Sequence, residues 1–250
     1  MIGLIGHTGF VGSSLLEQVK IDKVFNSKNI SEVKNYDFKV LICAGMSGSK
    51  WIANSNPSKD NRNYIEIINN LKLSRTENLV LISTVDTFFN PINVDEDSSQ
   101  EINKLETYGK NRKKLEVFVM QNFKNYLIVR LTGLVGAKLK KNLLYDIKNN
   151  NELYKFNLES KYQFYPIRYL WKDIQIAKNN NINLIHLNSE PISVKEIANI
   201  SDKETSEFTE KKNKAAYDLL TKHGKVYKTE SSYLYDKDKV VSEIKEYFQN

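Results

Sequence analysis

The sequence has little of what disulfide-stabilised, metal-binding or membrane-spanning proteins need. Cys43 is the only cysteine in 250 residues, so an intramolecular disulfide and a zinc site of several thiolates are both excluded. The three histidines are far apart in the sequence, and we expect no metal site. No run approaches the ~18 apolar residues of a spanning helix, and no basic segment followed by a long apolar one opens the chain. These absences predict a cytoplasmic protein without a membrane partner.

Arginine is also scarce, since only five of the 37 basic residues are arginines. The net charge of +7 is spread along the chain, with +3 in residues 1–136 and +4 in residues 137–250. Sites that read bases or clamp phosphates favour arginine, because its planar fork donates two parallel hydrogen bonds. The charge therefore indicates a solvated lysine surface, and we expect no nucleic-acid partner.

What is present is a globular composition with alternating strand and helix patterns. Hydrophobic residues make up 40% and charged residues 27%. Short β-branched runs predict strands at residues 2–5, 23–26, 39–44, 79–83, 126–131 and 184–187. Apolar residues at helical spacing predict helices at 10–20, 60–73 and 107–121, and more loosely at 139–149, 171–179, 193–200 and 236–248. This order predicts an α/β fold with a Rossmann-type doubly wound parallel sheet.

The sharpest motif lies where the first strand ends and the first helix begins, and reads Gly6-His7-Thr8-Gly9-Phe10-Val11-Gly12. Glycines allow the backbone to approach a pyrophosphate closely, and the N-terminus of a helix favours an anion. The motif predicts that a dinucleotide cofactor is bound by Gly6, Thr8, Gly9, Phe10 and Val11. The alternative is a tight turn whose glycines serve packing only, with His7 a solvent-facing loop residue.

Two further segments are expected to contact this cofactor. The second strand ends in Asn26-Ser27-Lys28, without the acidic residue that binds the ribose diol of NAD. Lys28 slightly favours NADP, although it also fits an ordinary surface lysine, so the choice between NAD and NADP stays open. Ala44 and Gly45 close the third strand with small side chains, which would let a cofactor lie against the backbone.

Five segments in this order resemble the extended short-chain dehydrogenases/reductases of the NAD-dependent epimerase/dehydratase family. They are the glycine motif, Ile42-Cys43-Ala44-Gly45, Leu81-Ile82-Ser83-Thr84, Tyr108-Gly109-Lys110-Asn111-Arg112, and Arg130-Leu131-Thr132-Gly133-Leu134-Val135-Gly136. The resemblance covers the chain to about residue 136. It implies that residues 1–136 bind NAD(P), with parts of 184–200 joining the sheet, and that residues 137–250 form a small substrate-binding lobe.

The resemblance implies that Tyr108 exchanges a proton with a sugar hydroxyl or ketone while hydride passes to or from the nicotinamide. A tyrosine with a pKa near ~10 needs a neighbouring cation to stabilise its phenolate. Arg112 lies four residues on, where the family has lysine, and would contact Tyr108. Both Tyr108 and Arg112 would also contact the cofactor. Thr84 would orient the reacting oxygen, with Ser83 as the alternative.

Substrate contacts are expected from Lys50, Trp51, Thr84, Asp86 and Gly133. The family's dehydratases carry Thr-Asp-Glu where this chain reads Thr84-Val85-Asp86, so epimerisation or reduction is favoured over dehydration. The resemblance implies an enzyme acting on a sugar or nucleotide-activated sugar in surface polysaccharide synthesis, and a possible homodimer. The alternative is a catalytically idle NAD(P)-binding sensor or regulator of the same fold, suggested by Arg112 and by the short C-terminal part.

Overall fold

A computed structural model describes residues 1–209 and 214–250. The chain divides into two compact units. The first comprises Met1–Asn90, Ser99–Arg130 and Leu170–Ile185, and the second Pro91–Ser98, Leu131–Tyr169 and His186–Asn250. In the described ranges, no helix combines the length and the apolar composition required to span a bilayer.

The first unit contains most of a six-stranded sheet, as the sequence predicts. Its strands are β1 (Ile2–Ile5), β2 (Lys23–Phe25), β3 (Val40–Cys43), β4 (Leu79–Thr84), β5 (Tyr126–Leu131) and β6 (Leu184–Leu187). They lie in the order β6-β5-β4-β3-β1-β2, and β1 pairs in parallel with both β2 and β3. The chain leaves β1 toward one edge and then crosses to the other side through β3. In doubly wound sheets such a reversal opens a crevice at the carboxyl ends of the strands, where ligands bind.

Five helices belong to this unit, namely α1 (Phe10–Gln18), α2 (Lys50–Ser55), α3 (Pro57–Leu73), α4 (Thr107–Asn122) and α6 (Leu170–Asn179). Short strands at Asp37–Phe38 and Arg75–Thr76 pair with each other. One sheet face packs against α3 and α4 in an apolar core that includes Ile5, Leu41, Leu79, Ile67 and Leu115. Neighbouring strand residues such as Leu4, Ile42 and Val80 point to the opposite face and are buried too, so both faces are covered.

Local chemistry moves several boundaries away from the sequence expectation. Helix α3 begins at Pro57 and not at residue 60, because the Asn56 side chain accepts a hydrogen bond from the Lys59 amide and proline suits the first turn. The helix predicted at 139–149 is shorter, because Asn142 caps it through the amides of Leu144 and Tyr145. Helix α2 was not predicted.

The second unit contains α5 (Leu143–Lys148), α7 (Val194–Ile200) and α8 (Lys237–Gln249) with short strand pairs. Gly133–Val135 pairs with Phe164–Pro166 and Asp218–Leu219 with Ile92–Val94, both in parallel, whereas Lys161–Tyr162 and Ile192–Ser193 are antiparallel. Ser193 and Glu196 form a reciprocal capping box at the start of α7. The functional division at residue 136 stays a prediction.

Candidate active site

The glycine loop joins the carboxyl ends of β1, β2 and β3. The Gly6 amide donates to the Phe25 carbonyl over 2.8 Å, and Gly6 has a φ of 89°, where a side chain is strained. A Cβ at Gly6 would lie 2.3 Å from the Ala44 carbonyl oxygen, and one at Gly12 would lie 2.2 Å from the Gly6 carbonyl oxygen. Both positions therefore require glycine for the chain to turn at the crevice.

The third glycine of the loop has a different environment. A Cβ at Gly9 would meet nothing closer than the Gly6 carbonyl oxygen at 3.5 Å, and both Thr8 and Gly9 are exposed. The first helical hydrogen bond of α1 runs from the Ser13 amide to the Gly9 carbonyl over 2.8 Å. The amides of Phe10 and Val11 precede it and have no partner within the helix, and Gly9 has no side chain to cap them. The open space over Gly9 leaves room for a pyrophosphate, and these amides can donate hydrogen bonds to it.

The segments predicted to contact the rest of the dinucleotide flank this loop. The Asn26 side-chain oxygen accepts a hydrogen bond from the Lys28 amide over 2.8 Å, so it shapes the turn after β2. Ser27 and Lys28 are exposed in that turn. The Ala44 amide donates to the Ile5 carbonyl over 2.9 Å, and a Cβ at Gly45 would lie 3.0 Å from the Ile5 side chain. Small residues at the end of β3 are thus needed for its close packing.

Tyr108 lies in the first turn of α4, where three contacts fix its position. Its amide donates to the Asn54 side-chain oxygen over 2.9 Å. A Cβ at Gly109 would lie 2.1 Å from the Asp86 carbonyl oxygen, so glycine allows α4 to approach the end of β4. The Thr84 side chain accepts a hydrogen bond from the Asp86 amide and acts on the Tyr108 hydroxyl, whose pKa it lowers. Thr84 and Tyr108 are therefore brought together, and their catalytic roles stay a prediction.

Ser83, the alternative to Thr84, has a different partner. Its hydroxyl donates to the Glu116 carboxylate over 2.6 Å, and Arg130 pairs with the same carboxylate at 2.7 Å. Burial opposes the charge of Glu116, but the hydrogen bonds and charge of Arg130 outweigh it and hold the pKa of Glu116 below its usual range. Ser83 thus belongs to a buried ion-pair network that the sequence analysis did not predict.

Arg112 is buried beside Tyr108, and both of its terminal nitrogens are engaged. Its Nη1 donates to Asp60 over 2.7 Å and to the Tyr108 carbonyl over 3.0 Å. Its Nη2 donates to the Ser47 carbonyl over 2.5 Å. The guanidinium carbon lies 3.8 Å from the centre of the Tyr108 ring, a cation–π distance. Arg112 is thus a fixed cation over the ring face.

The protonation of Tyr108 differs from the sequence expectation. Burial raises the pKa of Tyr108, and the Asp86 charge raises it further. The charges of Arg112 and Lys50 and the Thr84 hydrogen bond lower it, but the balance lies above the usual value. The neighbouring cation Arg112 does favour the phenolate, but burial outweighs it, so the hydroxyl is held neutral. A neutral phenol can donate a proton, as the reduction of a carbonyl requires.

The predicted substrate residues lie in both units. In the first, the Lys50 Nζ is 2.7 Å from the Asp86 Oδ1, and the Trp51 side chain is 79% exposed at the start of α2. In the second, a Cβ at Gly133 would lie 2.7 Å from the Gln163 carbonyl oxygen. The close pairing of its strand with Phe164–Pro166 therefore requires glycine at position 133.

Two residues that hold the Tyr108 region were missed by the sequence analysis. Asp60 is buried and binds both Arg112 and Asn111, and Asn54 ties α2 to the Tyr108 amide. The Asn56-Pro57 pair is a helix-start signal that would have placed Asp60 near the N-terminus of α3. Its pairing with Arg112, 52 residues away, has no local signal.

The fold of this chain is similar over its whole length to the folds of solved UDP-sugar epimerases and of a reductase. A UDP-glucose 4-epimerase from Thermotoga maritima, solved with UDP-glucose, aligns with a TM-score of 0.75 and 13% identity, covering 99% of this chain and 98% of that one. A UDP-N-acetylglucosamine 4-epimerase from Methanobrevibacter ruminantium, in complex with UDP-N-acetylmuramic acid, aligns with a TM-score of 0.76 and 12% identity, covering 99% of this chain and 96% of that one.

A third similar structure is that of an enzyme with a different activity. It is a dTDP-4-dehydrorhamnose reductase from Bacillus anthracis in complex with NADP, with a TM-score of 0.72 and 16% identity over 99% of this chain and 97% of that one. At the sequence level, neither a family model nor a curated protein matches. The predicted family resemblance is therefore confirmed at the level of the fold.

Proposed function

We propose that this protein is an NAD(P)-dependent epimerase or reductase of a nucleotide-activated sugar. The observation that carries the proposal is the pair of Thr84 and Tyr108, which interact in the same unit as the glycine loop. The similar structures include epimerases bound to UDP-sugars and a reductase bound to NADP, which supports the substrate and cofactor classes.

The bound nicotinamide would supply hydride transfer, and its pyrophosphate would be held by Gly9 and the first amides of α1. Tyr108 would give its proton to a carbonyl oxygen of the sugar in the reductive direction and recover it in the oxidative one. Thr84 would hold that oxygen beside the phenol. Arg112 would keep the Tyr108 ring in position from its face.

Trp51 and Lys50 are proposed to contact the sugar nucleotide, since an exposed aromatic face suits a sugar and an ammonium suits a phosphate. Asp86 would then contact the substrate beside Lys50, and a substrate contact by Gly133 stays a prediction of the family resemblance. Asn26, Ser27, Lys28, Ala44 and Gly45 remain the proposed contacts to the adenosine side of the cofactor. A role in surface polysaccharide synthesis and a homodimeric assembly stay predictions of the family resemblance.

The direct test is turnover of a panel of UDP- and dTDP-sugars and 4-keto-sugars with NAD(P)H or NAD(P)+. We expect product formation by the wild-type protein and a loss of at least about 100-fold in kcat for Tyr108→Phe, which lacks the acid–base group. Tyr154→Phe is the matched control, because Tyr154 is 57% exposed and its hydroxyl donates to Glu152, two residues before it. Equal turnover by Tyr108→Phe and wild type would exclude Tyr108 as the acid–base residue.

A second candidate is an NAD(P)-binding sensor that performs no chemistry. The observation that favours it is the engagement of Arg112 by Asp60 and the Ser47 carbonyl, together with the raised pKa of Tyr108. The argument from a short C-terminal part carries less weight, because the match extends over 98% of the Thermotoga epimerase chain. Tight nucleotide binding without turnover of any sugar in the panel would favour the sensor.

A further inference from the structure

Thr84 lies at the edge of a buried polar network. It is half-buried at the carboxyl end of β4, whereas Ser83 before it and Thr87 in the 3-10 turn Val85–Thr87 after it are buried. The Thr84 carbonyl accepts a hydrogen bond from the Thr87 hydroxyl over 3.2 Å, and its side chain accepts one from the Asp86 amide over 3.2 Å. The turn that follows β4 therefore holds the residue that is proposed to orient the reacting oxygen.

The Thr87 hydroxyl is an enclosed link in this network. Thr87 is 0% exposed, and its Oγ1 lies 2.7 Å from the Gln100 Nε2. A hydroxyl has one proton to donate, and an amide nitrogen can only donate. Because Gln100 donates to Thr87, the single proton of Thr87 is directed to the Thr84 carbonyl.

The orientation of the Gln100 amide is fixed in turn by Arg130. The Arg130 Nη2 lies 3.2 Å from the Gln100 Oε1, and a guanidinium has donors and no acceptor. Gln100 therefore turns its oxygen to Arg130, which turns its nitrogen to Thr87. The hydrogen bonds thus run in one direction, from a buried cation to the backbone of Thr84.

Glu116 closes the network on the residue next to Thr84. Its carboxylate accepts two hydrogen bonds from Arg130, over 2.9 Å from Nε and 2.7 Å from Nη2, and one from Ser83 over 2.6 Å. Arg130 is 1% exposed and Glu116 0%, so the protein encloses this pair. Glu116 lies on α4, the helix that carries Tyr108, so the network also ties that helix to β4.

Helix α4 also approaches the end of β4 closely. A Cβ at Gly109 would lie 2.1 Å from the Asp86 carbonyl oxygen, so the helix passes directly over the turn that holds Thr84. Tyr108 precedes Gly109 and interacts with Thr84. A displacement of Thr84 would therefore change the surroundings of the Tyr108 hydroxyl.

We propose that Thr87 and Gln100 are positioning residues, which hold the backbone of Thr84 in the place that the reaction requires. Thr87 contacts Thr84 directly, and Gln100 directs the Thr87 proton to it. The ion pair behind them fixes Gln100. The inference rests on the proposed function, because the reaction it serves is the one proposed for Thr84 and Tyr108.

The first arm of the test measures turnover of a sugar that the wild type converts. Thr87→Val keeps the shape of the side chain and removes the hydroxyl, whereas Thr87→Ser keeps the hydroxyl. We expect kcat to fall about tenfold in Thr87→Val, with KM and the NAD(P)H affinity within about twofold of wild type, because a displaced Thr84 misplaces the reacting oxygen. Thr87→Ser should restore most of the lost kcat.

Gln100→Glu tests the direction of the network and takes the place of Thr87→Val if that variant does not fold. The introduced carboxylate still accepts from Arg130 but cannot donate to Thr87, so it draws the Thr87 proton away from the Thr84 carbonyl. Gln100 is half-buried, and the substitution keeps its size. We expect kcat to fall about tenfold here too. A wild-type kcat in these variants overturns the proposal.

Thr76→Val is the matched control in the same unit. The Thr76 hydroxyl also donates to a backbone carbonyl, that of Asn78, over 2.9 Å, but at the amino end of β4, away from Thr84. We expect its kcat to equal that of the wild type. An equal loss of kcat in Thr76→Val and Thr87→Val would indicate a general effect on the fold and overturn the proposal.

The second arm needs no turnover. Tyr108 is replaced with 3-fluorotyrosine, and its 19F resonance reports the surroundings of that one ring. We expect the resonance to move in Thr87→Val and Gln100→Glu and to stay in place in Thr87→Ser and Thr76→Val. In a Thr84→Val background, Thr87→Val should add no movement, because the hydroxyl that it displaces is already gone.

The two arms distinguish the positioning role from the proposed function. A resonance that stays in place in Thr87→Val, or that moves equally in the Thr84→Val background, overturns the positioning role. A resonance that moves while kcat is unchanged overturns it too. If the wild type converts no sugar, the resonance decides alone, and a movement that Thr84→Val cancels would uphold the positioning of Thr84 and refute the proposed enzyme.

Discussion

Neutralising Asp60 should destabilise the protein strongly, because it leaves the Arg112 guanidinium charged and buried without its carboxylate. The two side chains are 2% and 3% exposed, and 2.7 Å separates the Asp60 Oδ2 from the Arg112 Nη1. Asp60→Asn keeps the shape and removes the charge. Breaking a buried ion pair at one end costs about 3–5 kcal/mol. At 2–4 °C per kcal/mol for a chain of this size, we expect Tm to fall by roughly 6–20 °C.

The assay is thermal unfolding of the wild type, Asp60→Asn and Asp37→Asn, followed by circular dichroism. Asp37 also pairs with an arginine, Arg75, but both side chains are exposed, at 79% and 57%, so its substitution should change Tm far less. Removing both buried charges in Asp60→Leu/Arg112→Met should recover much of the loss, since no unpaired charge remains. Equal Tm changes in Asp60→Asn and Asp37→Asn would refute the buried-pair argument.

Three further predictions test the other buried charge, the glycine loop and the cofactor choice. Because Arg130 lowers the pKa of Glu116, the Glu116 carboxylate contributes fully to stability above the usual glutamate pKa near ~4.3, and this contribution is lost as pH falls through the folded pKa. When the free energy of unfolding is measured across pH, that of Glu116→Gln should therefore fall less steeply at acidic pH than that of the wild type. Gly12→Ala should unfold at lower temperature, since its Cβ would lie 2.2 Å from a backbone oxygen, whereas Gly9→Ala should fold normally and bind NAD(P)H more weakly by calorimetry. Lys28→Ala should weaken the binding of NADPH more than that of NADH in the same assay if Lys28 contacts the 2′-phosphate. An equal loss of affinity for both would exclude Lys28 from that role.

The sheet was predictable because each strand is predicted by a short, contiguous run of residues. Runs such as Val40-Leu41-Ile42 are buried on both faces, and the strands they predict lie within one or two residues of the observed bounds. The glycine loop was predictable for the same reason, since strand, loop and helix are contiguous in the sequence. Thr84 and Tyr108 could be paired only through the family resemblance, because 24 residues separate them.

The buried ion pairs could not be predicted from the sequence. The sequence predicts that Arg112 pairs with Tyr108 on the same helix, yet its main partner is Asp60 on another helix, 52 residues away. Arg130 and Glu116 are likewise joined only when α4 packs on the sheet. The raised pKa of Tyr108 has the same origin, because burial is a property of the folded chain and no motif encodes it.

The central claim, that Tyr108 is the acid–base residue of an NAD(P)-dependent sugar enzyme, is tested most directly by hydride transfer. Wild type and Tyr108→Phe are mixed with NAD(P)+ and each nucleotide-sugar, and the reduced nicotinamide is followed by its absorbance within a single turnover. We expect the absorbance to form in the wild type with at least one sugar and to be slowed by at least about 100-fold in Tyr108→Phe. Formation at the same rate in both proteins would contradict the claim.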